Sequence, residues 1–240
     1  MTDYSKEDPQ TIKCLFNKIA PQYDRANALM SFNLHKKWNR TLSQMILSKG
    51  DPSKYLDLCS GTGEIAFTTL KDMKLPSEAF LLDFSDKMLD CAKNKELTIN
   101  PNKHRIHYLH ADAQAIPLPE NSIDAITIAY GIRNVQNPAR CIEEAHRVLK
   151  NGGIFAILEL TRPTHSIMKM GHKIYTKFLL PIIGRYVASD AQAYNYLQRS
   201  IQSFIQPMVL ENLLKHAGFK QTLVRPLSGG IATIISGHKS

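Results

Sequence analysis

The sequence lacks the features that would place it in a membrane or in a secreted fold. No apolar run approaches the roughly 20 residues that a membrane-spanning helix needs, and a run such as Phe178 to Ile183 is far shorter. The first ten residues show no apolar stretch behind a basic start, so no secretory signal is predicted. These absences favour a soluble, cytoplasmic protein.

Cysteine is scarce and scattered. The chain has four cysteines in 240 residues, and no two of them form a CxxC pair. This argues against a zinc knuckle and a redox motif, and single cysteines suit a reducing cytosol. No cluster of histidine, cysteine and aspartate predicts a metal site. The four residues are Cys14, Cys59, Cys91 and Cys141.

Internal repeats, low-complexity tracts and Gly/Ser-rich linkers are also missing, which predicts a single domain over residues 1–240. The formal net charge of +9 favours anionic partners such as nucleic acid, anionic lipid or an acidic substrate. The alternative is a basic, solvated surface without a partner. By pattern the chain divides into a helical N-terminal cap (1–50), an alternating core (54–160), a helical insertion (163–206) and a C-terminal helix with a hairpin (207–240).

The cap and the core carry clear periodicities. Asp8-Pro9 predicts a capped helix start, and a further helix is predicted over Leu34 to Leu47. In the core, apolar runs alternate with helical patterns, which predicts a parallel sheet covered on both faces. The predicted strands are 55–58, 79–83, 106–109, 123–129 and 154–158, with helices near 63–71, 86–97 and 138–149. Ser85 and Asn137-Pro138 are the predicted starts of the last two of these helices. A helix after Pro207 and two strands near 219–224 and 231–236 add a hairpin at the sheet edge, giving seven strands in all.

A glycine-containing turn follows the first predicted strand. Gly61 and Gly63 stand between Asp57 and a helical pattern, where glycine lets the backbone approach a ligand closely. The spacing also fits a dinucleotide fingerprint, and a simple tight turn is the structural alternative. The motif by itself therefore leaves the ligand open.

Three acidic positions bear on the choice between S-adenosyl-L-methionine and a dinucleotide. Asp57 would repel a pyrophosphate but would welcome the cationic amine of a sulfonium amino acid. Asp83 ends the next strand, where a carboxylate can accept two ribose hydroxyls; both cofactors use this feature, so it indicates an adenosine ribose without deciding between them. Asp112-Ala113 follows the third strand and suits an adenine amino group against a small apolar wall. A loop cap at Asp83 and a turn former at Asp112 are the alternatives.

Motifs along nearly the whole chain resemble the UbiE/MenG family of C-methyltransferases, which act on demethylmenaquinone and on a ubiquinone precursor. Several separated motifs occurring in one order are more specific than the glycine turn. The chain departs from the family pattern at Ala26, Ala129, Asn151, Thr161 and Gln192, and none of these changes removes a candidate catalytic group. The motifs that carry the resemblance are Phe16-Asn17-x-Ile19-Ala20-x-x-Tyr23-Asp24-x-x-Asn27-x-Leu29-Met30-Ser31, then Tyr130-Gly131-Ile132-Arg133-Asn134-Val135, Arg147-Val148-Leu149-Lys150-x-Gly152-Gly153 and Leu227-Ser228-Gly229-Gly230.

The resemblance implies a class I, Rossmann-like methyltransferase fold and S-adenosyl-L-methionine as cofactor, bound by the core. It also implies C-methylation of demethylmenaquinol to menaquinol, or of the benzoquinol precursor of ubiquinone. A neutral quinol is a poor nucleophile, so catalysis requires positioning, exclusion of water and formation of a phenolate. The predicted cofactor-binding residues are Asp57, Gly61, Thr62, Gly63, Asp83, Asp112, Ala113 and Ala129.

Arg133 and Asn134 are the catalytic candidates, because they follow the fourth strand at the carboxyl edge of the sheet. Arg133 would stabilise the phenolate or orient a water that removes the proton. A helix-capping or ion-pairing arginine is the alternative. The weaker candidates are Tyr23, Tyr130, Tyr194 and His165.

A polyprenyl quinol substrate implies transient contact with an anionic membrane surface, at the inner face. Cations interleave with apolar residues from Ser166 to Val187, which is typical of a basic amphipathic segment; a lid over the substrate is the alternative. A homo-oligomer is also expected. A nucleic-acid partner is not, because Ala129-Tyr130-Gly131-Ile132 has no proline where base-amine methyltransferases carry one. The rivals are an enzyme for another small phenolic or lipid acceptor, a non-catalytic assembly protein and a dehydrogenase.

Overall fold

A computed structural model describes residues 8–99, 104–163 and 191–240. His165, the basic segment 166–187 and the side chain of Tyr194 lie outside the described residues. The strands are β1 (Lys54–Leu58), β2 (Glu78–Asp83), β3 (Arg105–His110), β4 (Ile123–Ala129), β5 (Leu149–Leu160), β6 (Lys220–Leu227) and β7 (Ala232–His238). The helices are α1 (Pro9–Ile19), α2 (Tyr23–Met30), α3 (Leu34–Leu47), α4 (Glu64–Asp72), α5 (Asp86–Ile99), α6 (Pro138–Val148), α7 (Ala191–Ser203) and α8 (Pro207–His216).

All seven strands form one sheet in the order β3-β2-β1-β4-β5-β7-β6. The first five in this order are parallel, and β7 runs antiparallel to both β5 and β6. The predicted fold class is therefore confirmed, including the edge hairpin. The strand order reverses between β1 and β4, and ligands of open α/β sheets bind at such a switch point.

Local sequence explains where the helices begin. The Asp8 side chain accepts a hydrogen bond from the backbone N–H of Gln10 at 3.1 Å, with proline at the first helical position of α1. Asn137 caps α6 in the same way through the N–H of Arg140 at 3.2 Å. The Ser85 hydroxyl accepts from the N–H of Met88 at 3.2 Å and starts α5. The predicted helix starts at these residues are confirmed.

One predicted strand is longer than its apolar run. β5 begins at Leu149, not at Ile154, because the chain pairs with β4 before and after an irregularity in the register. The glycines Gly152 and Gly153 lie within this irregular stretch. Pairing with β4 therefore extends the strand through the two glycines. As a result α6 ends at Val148, directly before β5.

Two apolar layers cover the two faces of the sheet. Alternate residues of β1 divide between them: Leu56 and Leu58 join the layer under α6 and α8, and Tyr55 joins the layer under α3 and α4. A smaller cluster ties α1 to α7 through Ile12, Leu15 and Tyr196. Within the described residues, none of the helices has the length and apolar character needed to cross a bilayer.

Candidate active site at the carboxyl ends of the strands

The turn after β1 is fixed against β2. The backbone N–H of Ser60 donates to the Leu82 carbonyl at 3.0 Å, and the N–H of Gly61 donates to Asp83 Oδ2 at 2.8 Å. Gly63 has a φ of +78°, and a Cβ there would lie 2.5 Å from Phe67 Cε2. The turn therefore needs glycine at position 63 for both its backbone angle and its packing on α4.

A cleft of about 700 Å³, including its open mouth, lies beside this turn. Among the predicted cofactor residues, it is lined by Gly61, Asp83, Asp112, Ala113 and Ala129. These residues come from the ends of four strands that meet at one edge of the sheet. Its other lining residues include Phe16 and Tyr23 from the N-terminal helices and Met88, Tyr130, Gly131 and Asn134.

Asp83 is the buried acid of the cleft, with 5% of its surface exposed. Its Oδ2 accepts from Gly61, its Oδ1 accepts from the N–H of Ser85 at 2.9 Å, and the N–H of Phe84 also donates to the carboxylate, which keeps acceptor capacity for a further donor. Burial raises the pKa of Asp83 to about 6, against the opposing effect of these backbone donors. The carboxylate can therefore accept ribose hydroxyls at neutral pH.

Asp112 and Ala113 line the cleft beside Asp83, and Asp112 is exposed. Both Asp112 oxygens accept from the side chain of Gln114, which holds the carboxylate in place, while Ala113 is buried. The buried acid, the second acid and the small apolar wall fit the ribose and adenine of S-adenosylmethionine. The fit rests on the two carboxylates as hydrogen-bond acceptors and on Ala113 as the apolar surface.

Asp57 does not line the cleft; it lies under the turn, 1% exposed. Its Oδ1 accepts from the Thr127 hydroxyl at 2.7 Å, and it also accepts from the N–H of Ala66 in the first turn of α4. Burial raises the pKa of Asp57 to about 7. Its Oδ2 is buried and has no hydrogen-bond partner among the described residues.

Thr62 and Gly63 are likewise outside the cleft lining. The Thr62 hydroxyl donates to Asp24 Oδ1 at 2.6 Å, and Lys95 Nζ contacts both Thr62 Oγ1 at 3.2 Å and Asp24 Oδ2 at 2.7 Å. The structure thus uses Thr62 to connect the turn to α2 and α5. The predicted cofactor contact of this side chain stays a prediction.

A second cavity of about 600 Å³ lies under α1 and α2, and most of its wall is apolar. It shares Phe16, Tyr23 and Asn134 with the cleft, so the two spaces adjoin. The Asn134 side chain accepts from the Tyr196 hydroxyl at 2.9 Å. The cavity is lined by Leu15, Phe16, Ile19, Gln22, Tyr23, Ala26, Asn27, Met30, Arg133, Asn134, Tyr196 and Leu197.

Arg133 lines this second cavity and forms a buried ion pair. Its Nη1 donates to Glu159 Oε1; Arg133 is 7% exposed and Glu159 is fully buried. Burial lowers the pKa of the guanidinium, but the Glu159 carboxylate together with Tyr23 and Tyr196 outweighs it and the net shift is upward, so Arg133 keeps its charge. The ion pair that the sequence left as the alternative role of Arg133 is therefore present. Arg133 also lines the second cavity, so the ion pair does not exclude contact with a ligand there.

Glu159 is the residue whose role the sequence did not reveal. It follows the apolar run of β5, and an acid in a buried strand requires a partner. Oε1 of Glu159 also accepts from the N–H of Leu160 at 2.7 Å. The signal was an acid at the end of a core strand, but the sequence did not identify its partner.

The sheet order and the cleft at its carboxyl edge define a Rossmann-like methyltransferase fold. A solved S-adenosylmethionine-dependent methyltransferase from Thermotoga maritima superposes with a TM-score of 0.61, covering 94% of this chain and 98% of its own. The two sequences are 17% identical, so this likeness shows the fold alone.

The sequence comparisons identify the family. The model of the ubiE/COQ5 methyltransferase family matches residues 2–239. A demethylmenaquinone methyltransferase from Protochlamydia amoebophila is 46% identical over 239 residues, 100% of this chain and 99% of its own. Another from Staphylococcus saprophyticus is 35% identical, over 98% of this chain and 99% of its own. The chain belongs to the ubiE/COQ5 methyltransferase family, as the motifs predict.

Proposed function

We propose that this enzyme transfers the methyl group of S-adenosylmethionine to a ring carbon of demethylmenaquinol, giving menaquinol. The observation that carries the proposal is the pair of adjoining spaces: an acid-lined cleft and an apolar cavity, separated by Phe16, Tyr23 and Asn134. A polar cofactor and an apolar ring can therefore approach each other at this wall. The names of the relatives favour the menaquinone precursor as acceptor.

In the proposed complex, Asp83 accepts the ribose hydroxyls, and Asp112 with Ala113 contacts the adenine. Gly61 and Ala129 bring backbone and a small side chain close to the remaining part of the cofactor. When bound, S-adenosylmethionine supplies an electrophilic methyl group on a sulfonium.

Arg133 provides the electrostatic part of the mechanism. Burial raises the pKa of the Tyr23 phenol and raises that of Tyr196 to about 12, and in both cases the Arg133 charge acts in the opposite direction. A quinol hydroxyl in the same cavity would experience the same two effects. Arg133 therefore lowers the free-energy cost of forming the phenolate in a largely apolar cavity, with the phenolic proton passing to a water molecule.

The geometry also leaves Arg133 a donor for the acceptor oxygen. Its Nη1 is engaged by Glu159, while its Nε is buried without a hydrogen-bond partner among the described residues. We propose that Nε donates to the phenolate oxygen and that Glu159 holds the guanidinium in place. Asn134, fixed by Tyr196, positions the ring next to the cleft.

A direct test is methyl transfer from labelled S-adenosylmethionine to chemically reduced, short-tailed demethylmenaquinone. We expect label on the ring carbon with the quinol and none with the oxidised quinone, because only the quinol forms a phenolate. A parallel benzoquinol precursor measures the breadth of acceptor use. Cofactor binding without transfer to any quinol would overturn the proposed acceptor and leave the fold and family unchanged.

A further inference from the structure

The turn between α2 and α3 presents apolar side chains to solvent. Phe32 is 61% exposed, Leu29 43% and Leu34 41%, three large apolar residues within six positions. Backbone hydrogen bonds within the turn fix its conformation: the N–H of Asn33 donates to the Ala28 carbonyl and the N–H of Leu34 donates to the Ser31 carbonyl, both at 2.9 Å. We call residues 29–40 the α2–α3 corner.

Along the chain the charge of this corner has one sign, and the carboxylate of Glu64 approaches it only at His35, 3.0 Å from His35 Nε2. Residues 25–50 contain five lysines and arginines and no aspartate or glutamate. Lys36, Lys37 and Arg40 are exposed on the outer face of α3, opposite its buried stripe. Among the described residues no ion pair is recorded for these three cations. The corner thus combines exposed apolar side chains with an excess of positive charge among the described residues.

The corner also lies at one end of the apolar cavity. Tyr23, Ala26, Asn27 and Met30 line the cavity from α2, whereas Leu29, on the same helix, is exposed. A ligand that extends along α2 from the cavity therefore reaches the corner at the end of that helix. Leu29, Phe32 and Leu34 line neither cavity, so they can be changed without touching the proposed site.

We propose that the α2–α3 corner docks on an anionic lipid bilayer. Phe32 and Leu29 insert at the level of the headgroups, while Lys36, Lys37 and Arg40 contact anionic lipids, as expected for a surface that combines apolar and basic groups. The part of this inference that concerns substrate rests on the proposed function: the tail of a lipid quinol would stay in the bilayer while its ring enters along α2. This surface is distinct from the basic segment 166–187.

Vesicle sedimentation tests the docking without any turnover. The full chain should sediment with vesicles that contain one third phosphatidylglycerol and not with pure phosphatidylcholine. The variant Leu29→Ser/Phe32→Ser should lower the partition coefficient at least tenfold. The matched control is Leu75→Ser/Leu97→Ser, which removes two leucines that are 63% and 82% exposed elsewhere, and it should bind as the unmodified chain does.

A charge series gives a second, independent readout. Lys36→Gln/Lys37→Gln/Arg40→Gln should weaken binding by tenfold or more, since each juxtamembrane cation contributes about a fivefold factor, and should reduce its salt dependence. Lys71→Gln/Lys74→Gln/Arg105→Gln makes the same change in net charge at other exposed positions and should have little effect. Equal losses in the two triple variants would show that net charge alone drives binding and would overturn the proposal.

Turnover separates this inference from the proposed function. The corner variants should methylate a tail-free, water-soluble quinol at the normal rate and lose at least tenfold in rate on a long-tailed quinol embedded in anionic vesicles. Unchanged vesicle binding in both corner variants would overturn the docking surface, whether or not any quinol is methylated. Dissociation of a dimer by Phe32→Ser in size-exclusion chromatography would assign the corner to self-association and would also overturn it.

Discussion

The cleft and the apolar cavity adjoin at Phe16, Tyr23 and Asn134, yet their walls are built in different ways. The cleft is formed mainly by strand ends and the turns that follow them, with Asp83 held by backbone N–H groups. The cavity is formed by helix faces, with one buried ion pair between Arg133 and Glu159. The cleft thus depends on backbone geometry, whereas the cavity depends on side-chain packing and on compensation of a buried charge.

This difference has a consequence for function. A cleft built on strand ends is positioned by the rigid sheet and can serve any acceptor. A cavity built on α1, α2 and α7 can change its shape with the side chains that line it. We therefore expect substitutions in the cleft to change cofactor affinity, and substitutions in the cavity to change turnover.

The largest expected effect is on turnover when Arg133 is removed. Arg133→Ala should lower kcat at least 100-fold, because the phenolate loses its only described cationic neighbour in the cavity wall, and should leave the Kd for S-adenosylmethionine within twofold. Isothermal titration and single-turnover assays measure the two quantities. Near-normal kcat would show that Arg133 is purely structural.

Stability must be controlled in this experiment. Removing one partner of a buried pair leaves Glu159 uncompensated, at a cost of about 3–5 kcal/mol. The double variant Arg133→Met/Glu159→Leu replaces the pair by apolar groups of similar size and should fold well. It should remain inactive, which separates the chemical role of Arg133 from its contribution to folding.

The next effect concerns the cleft. Asp83→Asn should raise the Kd for S-adenosylmethionine about 10- to 100-fold, because hydrogen bonds to a charged group contribute about 1.5–3 kcal/mol. The kcat at saturating cofactor should change little. Asp90→Asn, which removes an exposed carboxylate on α5, is the matched control. If Asp83→Asn lowered kcat more than it weakened cofactor binding, the expectation that the cleft controls affinity and the cavity controls turnover would be wrong.

The pH dependence sharpens the same test. Since burial raises the pKa of Asp83 to about 6, the carboxylate is ionised at pH 7.5 and mostly protonated at pH 5. A protonated carboxyl accepts hydroxyl donors poorly, so the Kd should rise about tenfold between these values. Asp83→Asn should remove most of this change. Equal pH profiles for both proteins would assign the titration to another group.

The smallest expected effect is on stability and tests the rigidity of the turn. Gly63→Ala and Gly152→Ala both place alanine at positive φ, +78° and +82°, but only position 63 meets other atoms, with Phe67 Cε2 at 2.5 Å. Gly152→Ala should cost about 1–2 kcal/mol, and Gly63→Ala a further 1–3 kcal/mol from overpacking. Urea unfolding measures both. Equal midpoints would show that Phe67 moves aside freely.

Much of the cleft could be predicted from the sequence. Asp83 and Asp112 follow consecutive apolar strands, and the carboxyl ends of parallel strands meet at one edge of a sheet. The buried position of Asp57 could not be predicted in this way, and its contact with the cofactor stays a prediction. It is one residue before the end of β1, and the alternation of a strand turns its side chain to the face under α4, beside Thr127 and beneath the turn.

The sequence by itself determined the family, the alternation of strands and helices in the core, and the helix starts at Asp8, Ser85 and Asn137, because periodicity, caps and ordered motifs are local properties. Only the tertiary structure decided which side chains meet. Arg133 pairs with Glu159 because β4 and β5 are neighbours in the sheet. Thr62 donates a hydrogen bond to Asp24 because α2 folds over the turn. Such pairs depend on strand register and helix packing, which bring together residues that are far apart in the sequence.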